Sequence, residues 1–137
     1  PARARPASYL DAVSALEVLG KTGAARLGYR AAVGQWPDQV VGWMGLGNTE
    51  YALGNHPAAE AAFRRALGIR PGEFAAWNNL AYPLAARQCV RMARESAQCA
   101  VRLAPGNAEA EQTLREMQAL PLLPSEACSP LPDCPVH

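Results

Sequence analysis

Little in this sequence invites chemistry. Histidine occurs twice, as His56 and as the terminal His137, and hydrolytic nucleophiles need a base and an orienting partner beside them. A Ser or Cys site of that kind is therefore not expected. Charge is scarce as well: 18% of residues are charged and they nearly cancel at a net +1, which gives no electrostatic reason to expect nucleic acid or an anionic membrane. No apolar run approaches the roughly 18 residues of a membrane span. No glycine-rich phosphate loop follows a strand pattern, and the four cysteines, spaced 10, 29 and 6 apart, do not form the paired knuckles of a zinc site. The acidic pairs Glu109 and Glu111, and Glu50 and Glu60, read as solvated charges on helix surfaces. The expectation is no catalytic residue, no cofactor and no metal. An initiator Met and a signal-peptide pattern are missing too, so the opening PARARPASYL is expected to be a cut end of something longer.

What is present is repetition. At a shift of 34 residues Pro37, Pro71 and Pro105 fall in step, as do Ala25, Ala59 and Ala93, then Ala32, Ala66 and Ala100, and the aromatic series Tyr9, Trp43 and Trp77. Tyr29 matches Phe63, and Gly20 matches Gly54 at a break between two bursts of helical periodicity. Each unit therefore reads as a helical hairpin. Helices of about a dozen residues cannot bury their apolar faces alone, so such hairpins stack and share a core. Ala59 and Ala66 are expected to leave room for Gly47 while Trp43, Leu46 and Phe63 fill the space around that contact. The prolines end each second helix, and Asp38 and Asn107 are candidate N-caps for the helices that follow. From Asn107 onward, NAEAEQTLREMQAL reads as one helix with Ala110, Leu114 and Met117 on a single face, suited to cap the open end.

Trp43, Leu46 and Gly47, then Ala59, Phe63 and Ala66, then Pro71 resemble the signature of the tetratricopeptide repeat family. The resemblance spans roughly residues 6 to 120. It departs at Glu50, where an aromatic is usual, at Gln88, in place of the turn glycine, and at Pro83, inside the first helix of the third unit, where a kink is expected. It implies an all-α, right-handed superhelix of three helix-turn-helix repeats, over about 6–39, 40–73 and 74–107, plus a capping helix at 108–120. Together these make a repeat domain over 1–120, followed by a Pro-rich, Cys-containing tail at 121–137. More loosely, WPDQVVGWMGLGNTEYALGNHPAAEAAFRRAL and AAWNNLAY resemble the C-terminal repeat domain of exported bacterial C39-like cysteine peptidases, which would put a peptidase outside this chain.

The tail, PLLPSEACSPLPDCPVH, is too rich in proline for helix and favours extended conformations. An even cysteine count in a small chain suggests two disulfides and an exported or periplasmic, oxidising compartment, with four reduced thiols in a cytoplasmic protein as the alternative. Cys89 falls at the third inter-helix turn and Cys99 two to three turns into the next helix. Helical rise then holds the two about 12 Å or more apart, beyond the roughly 7 Å a disulfide bridges. Cys128 and Cys134 are their natural partners, in an order the sequence leaves open.

With catalysis unsupported, binding is the expected role. Positions on the first helix of each unit that turn away from the second are Asp11 and Ser14, then Met44, Asn48 and Tyr51, then Asn78, Asn79 and Tyr82, a neutral and amide-rich groove expected to discriminate little by charge. Asn48 and Asn79 resemble the asparagines with which peptide-binding members of the family grip a ligand backbone, since an amide offers both donors and an acceptor. Met44, Glu109 and Thr113 stand where carboxylate-gripping members carry cations, which makes a carboxylate tail a poor ligand. The expected partner is a protein or peptide. The alternative is a structural spacer or self-assembly domain whose groove is filled by its own tail or by a second copy.

Overall fold

The computed structural model describes residues 5–124 and 126–137. Its elements are α1 (Pro6–Val18), α2 (Thr22–Gln35), α3 (Val40–Ala52), α4 (His56–Ile69), α5 (Phe74–Ala86), α6 (Val90–Leu103) and α7 (Ala108–Ala119), with no strand among the described residues. The helices form three hairpins and a cap.

The 34-residue register is written into the turns. Each first helix closes by a turn in which the residue after its C-cap has a left-handed backbone: Gly20 at φ 76°, Gly54 at φ 81° and Gln88 at φ 65°. The next amide then reaches back five residues, from Lys21 to Leu16, Asn55 to Glu50 and Cys89 to Leu84, each at 2.8 Å. This is the backbone closure that satisfies otherwise orphaned carbonyls at a helix end. The second helices stop ahead of Pro37, Pro71 and Pro105, and the prolines serve again as acceptors. The indole of Trp43 donates to the carbonyl of Pro37 and that of Trp77 to the carbonyl of Pro71, both at 2.8 Å. Each repeat thereby pins the linker it grew from. Asn107 caps α7 by accepting from the Ala110 amide at 2.9 Å. Asp38 does not cap α3: the cap position belongs to Gln39, which makes no side-chain cap bond. Pro83 lies within α5, which continues to Ala86.

Small residues set the inter-helix distances. Ala25, Ala59 and Ala93 have no exposed surface, and Gly47 lies so close to Phe63 that a Cβ there would stand 2.5 Å from the ring. Gly45 is placed against Tyr29 of the preceding hairpin in the same way. The first helices α1, α3, α5 and α7 also touch one another in sequence, whereas α2, α4 and α6 do not. That asymmetry curves the stack and puts the first helices on its inner side.

Glu50 and Glu60 overturn the expectation of solvated surface charges. Both are buried, Glu50 accepting from Arg26 with Arg30 at 3.5 Å, and Glu60 accepting from Arg64 at 2.8 Å and from Arg87. The carboxylate at the usual aromatic position is thus tolerated because α2 supplies two guanidinium groups to it.

The tail is strapped to the outer side. Disulfides join Cys89 to Cys128 and Cys99 to Cys134, with Cα atoms 6.2 and 5.7 Å apart. Glu126 accepts from the Arg91 amide at the start of α6, at 2.7 and 3.0 Å, supplying the cap that Cys89 cannot. Arg64 of α4 donates to the carbonyls of Ser129 and Pro130 at 2.7 Å. Arg94 similarly gathers the carbonyls of Met117, Gln118 and Leu120 at the end of α7. The tail runs over α4 and α6, so it does not fill the groove on the inner side as the alternative reading supposed.

Candidate functional site

The inner side carries a chain of polar contacts across the second and third repeats and the capping helix. Asn79 of α5 donates to the Oδ1 of Asn48 on α3 at 3.0 Å. Asn78 donates to Asn79 Oδ1 at 3.2 Å and to Glu109 Oε1 of α7 at 3.4 Å. Tyr82 lies 3.1 Å from the Thr113 hydroxyl and donates to Glu116 Oε2 at 2.9 Å. Every link joins neighbouring first helices, save the one between the consecutive residues Asn78 and Asn79 of α5. It is the repeat register that brings them together, since Asn48 and Asn79, Asn78 and Glu109, and Tyr82 and Thr113 are all 31 residues apart.

Between these groups lies a cleft of about 200 Å³ walled by Asn48, Tyr51, Phe63, Asn79 and Tyr82. The Tyr51 ring meets Tyr82 at 6.0 Å and His56 at 5.2 Å, both tilted. Phe63, itself buried, closes the floor. The pocket therefore combines aromatic faces with two amides that hold one another in place, and it contains no nucleophile with a base. Burial pushes the Tyr82 phenol up, Thr113 works against this, and the Glu116 carboxylate adds to the rise through its hydrogen bond and its charge.

The structure sorts the expected groove residues. Asn48, Asn79, Tyr51 and Tyr82 come together around the cleft. Asn78 does not open onto it: its side chain is 1% exposed and is spent on Asn79 and Glu109, because α7 packs over that face of α5. Met44 is half-buried against the core. Asp11 and Ser14 are exposed on α1, and neither hydrogen-bonds to the cluster among the described residues. Glu116 is the member that the sequence reading missed. Its signal was its place seven residues after Glu109, on the same face of the capping helix.

A second cleft of about 350 Å³ lies on the outer side, where Trp77, Met92, Glu95 and Arg102 face Leu131 and Asp133 of the strapped tail.

Comparison with known proteins follows the same lines. The family model for the tetratricopeptide repeat matches residues 10–74. No curated protein matches the chain in sequence. Among solved structures, the first tetratricopeptide domain of Spaghetti (RPAP3), bound to the HSP90 peptide SRMEEVD, is 18% identical and covers 82% of this chain and 90% of its own, with a TM-score of 0.78. The second such domain of human RPAP3, in complex with the HSP70 peptide SGPTIEEVD, is 14% identical over 83% and 98% of the two chains, at a TM-score of 0.77. The Yersinia enterocolitica type III secretion chaperone SycD, with a peptide of the translocator YopD, is 15% identical over 81% and 90%, at 0.74. At these identities the likeness is one of fold, and the looser likeness to a cysteine-peptidase repeat domain finds no support among them. The family model thus marks tetratricopeptide repeats over residues 10–74, the same register is carried through α7, and the chain is similar in fold to solved tetratricopeptide domains.

Proposed function

We propose that this chain is a non-catalytic interaction module that holds a peptide on its inner side, with Asn48 and Asn79 gripping the ligand main chain. The observation that carries the reading is the pairing of those two amides at 3.0 Å beside the cleft. An Asn pair of this kind leaves the Asn48 Nδ2 and one hydrogen of the Asn79 Nδ2 uncommitted, donors that an extended peptide can use for its own unpaired carbonyls. The three relatives described above were each solved with a peptide, and the same use of the fold supports this one. Two disulfides further support a protein that works in an oxidising, exported compartment.

The test is a binding screen of this chain against a degenerate library of short acetylated and amidated peptides. Asn48→Ala and Asn79→Ala are expected to weaken retained peptides by about tenfold each, the worth of a main-chain hydrogen-bond pair. Binders that ignore both substitutions would place the site elsewhere.

Self-assembly is the second reading. Val18, Leu19 and Leu27 are exposed by 85%, 70% and 65% on the first hairpin, an apolar edge that a second copy would cover. Sedimentation equilibrium of the wild type against Val18→Ser/Leu19→Ser decides it: a monomer in both removes this reading.

A further inference from the structure

The groove is acidic where α7 meets it, and this decides the chemistry of what it takes. Glu109 and Glu116 are both exposed and lie on one face of α7. Glu109 Oε1 is 3.4 Å from the Asn78 amide, and Glu116 takes Tyr82 on one oxygen and Gln112, at 3.1 Å, on the other. The carboxylates of Glu50, Glu60 and Glu73 all have arginine partners. Among the described residues none of the ion pairs includes Glu109 or Glu116.

A second observation points the same way. The Asn78 side chain, 1% exposed, is aimed at Glu109, and its Oδ1 has no hydrogen-bond donor. That unpaired acceptor stands in a corner where acceptors already predominate. The exposed carboxylates at its mouth, Glu109 and Glu116, are matched by a group that brings donors and positive charge. The cleft beside it offers the faces of Tyr51 and Tyr82, which attract cations, and the Tyr82 hydroxyl donates to a carboxylate, which enriches its ring. Asp11, exposed on α1, carries the same sign at the other end of the inner side.

We infer that the groove takes a basic peptide segment, its main chain on Asn48 and Asn79 and a Lys or Arg side chain passing Tyr82 to reach Glu109 and Glu116. The inference rests on the peptide-groove reading above and adds the charge of the ligand to it. It departs from the sequence expectation of a groove indifferent to charge, because that expectation used Glu109 only to argue against a carboxylate tail and did not count Glu116.

The experiment uses three sets of acetylated, amidated peptides, identical except for a fixed central Lys, Gln or Glu, titrated against this chain. The Lys set is expected to bind about tenfold more tightly than the Glu set at low salt, the gap closing as added salt screens the pair. Glu109→Gln/Glu116→Gln should erase the preference of the Lys set over the Glu set, with circular dichroism checking that the double variant is folded. Equal binding of the three sets that still depends on Asn48 and Asn79 would overturn the charge inference and leave the groove reading standing. So would a Lys preference that survives the double substitution, which would place the basic residue elsewhere. Failure of every set to bind would remove both.

Discussion

Gln88 stands in register with Gly54, one repeat apart, and adopts the same left-handed backbone at φ 65° against 81°. A residue with a Cβ pays roughly 1–2 kcal/mol to sit there, where glycine does not. The closure is otherwise intact, since Cys89 still donates to Leu84 as Asn55 does to Glu50. Gln88→Gly should therefore stabilise the domain by about 1 kcal/mol, raising the melting temperature by a few degrees. Thermal unfolding followed by circular dichroism gives the answer, and a loss of stability would mean that the glutamine side chain contributes more than its backbone costs.

The strap over α6 supports a second prediction. The two bridges close sequence separations of 39 and 35 residues, and a closed loop of that size restricts the unfolded chain by about 3–4 kcal/mol. Cys89→Ser/Cys128→Ser should lower stability by that order and raise hydrogen exchange in 126–137 and at the start of α6, where Glu126 caps Arg91. Because the tail lies over α4 and α6, peptide retention on the inner side should persist in the folded variant. Loss of retention without loss of helix would tie the tail to the groove after all.

Most of this architecture was legible as periodicity. The prolines, turn glycines and the Ala25, Ala59, Ala93 series recur because each repeat solves the same packing problem, so one shift of the sequence against itself exposes hinge, core and cap together. Cysteine pairing was legible in part, from helical rise alone, because Cys89 and Cys99 sit too far apart along α6 to meet. What periodicity could not show was the fate of its exceptions. Glu50 departs from the repeat, and only three-dimensional packing reveals that Arg26 and Arg30, on the previous hairpin, make its burial tolerable. Asn78 looked like its neighbour Asn79, yet α7 covers one and leaves the other half open. Glu116 falls one repeat after Tyr82, in register with Asn48 and Ser14, so the periodicity pointed to it, but the groove positions were read off the first three inner helices only.

Two helical glycines should respond to alanine in opposite directions. A Cβ on Gly45 would stand 2.2 Å from the Tyr29 ring, whereas one on Gly68 meets nothing within 4 Å. Tyr29 is buried and held by Glu17, so it cannot retreat without breaking that bond. Gly45→Ala is expected to cost about 2–3 kcal/mol net of the gain in helix propensity, and Gly68→Ala to contribute about 0.5–1 kcal/mol. Chemical denaturation of the two variants measures both, and a stabilising Gly45→Ala would show that the first two hairpins can separate at little cost.

Tyr29 also makes stability depend on alkaline pH. Its side chain is 3% exposed and its hydroxyl donates to Glu17. Burial, then the hydrogen bond and the charge of Glu17, push the phenol well above its ordinary value of 10.0. In the unfolded chain the phenol releases its proton near that ordinary value, while in the folded chain it stays protonated. Above pH 10.0 the unfolded state therefore binds fewer protons than the folded one, and stability falls as pH rises; below it both states are neutral and this group contributes no slope. The decline should approach about 1.4 kcal/mol per pH unit for each such tyrosine, with Tyr82 adding in the same direction. Tyr29→Phe removes the hydrogen bond, at a cost of about 1–2 kcal/mol at neutral pH, and should flatten the alkaline slope. Urea midpoints of the wild type and Tyr29→Phe between neutral and strongly alkaline pH make the comparison, and parallel curves would show that the Tyr29 phenol ionises alike in both states.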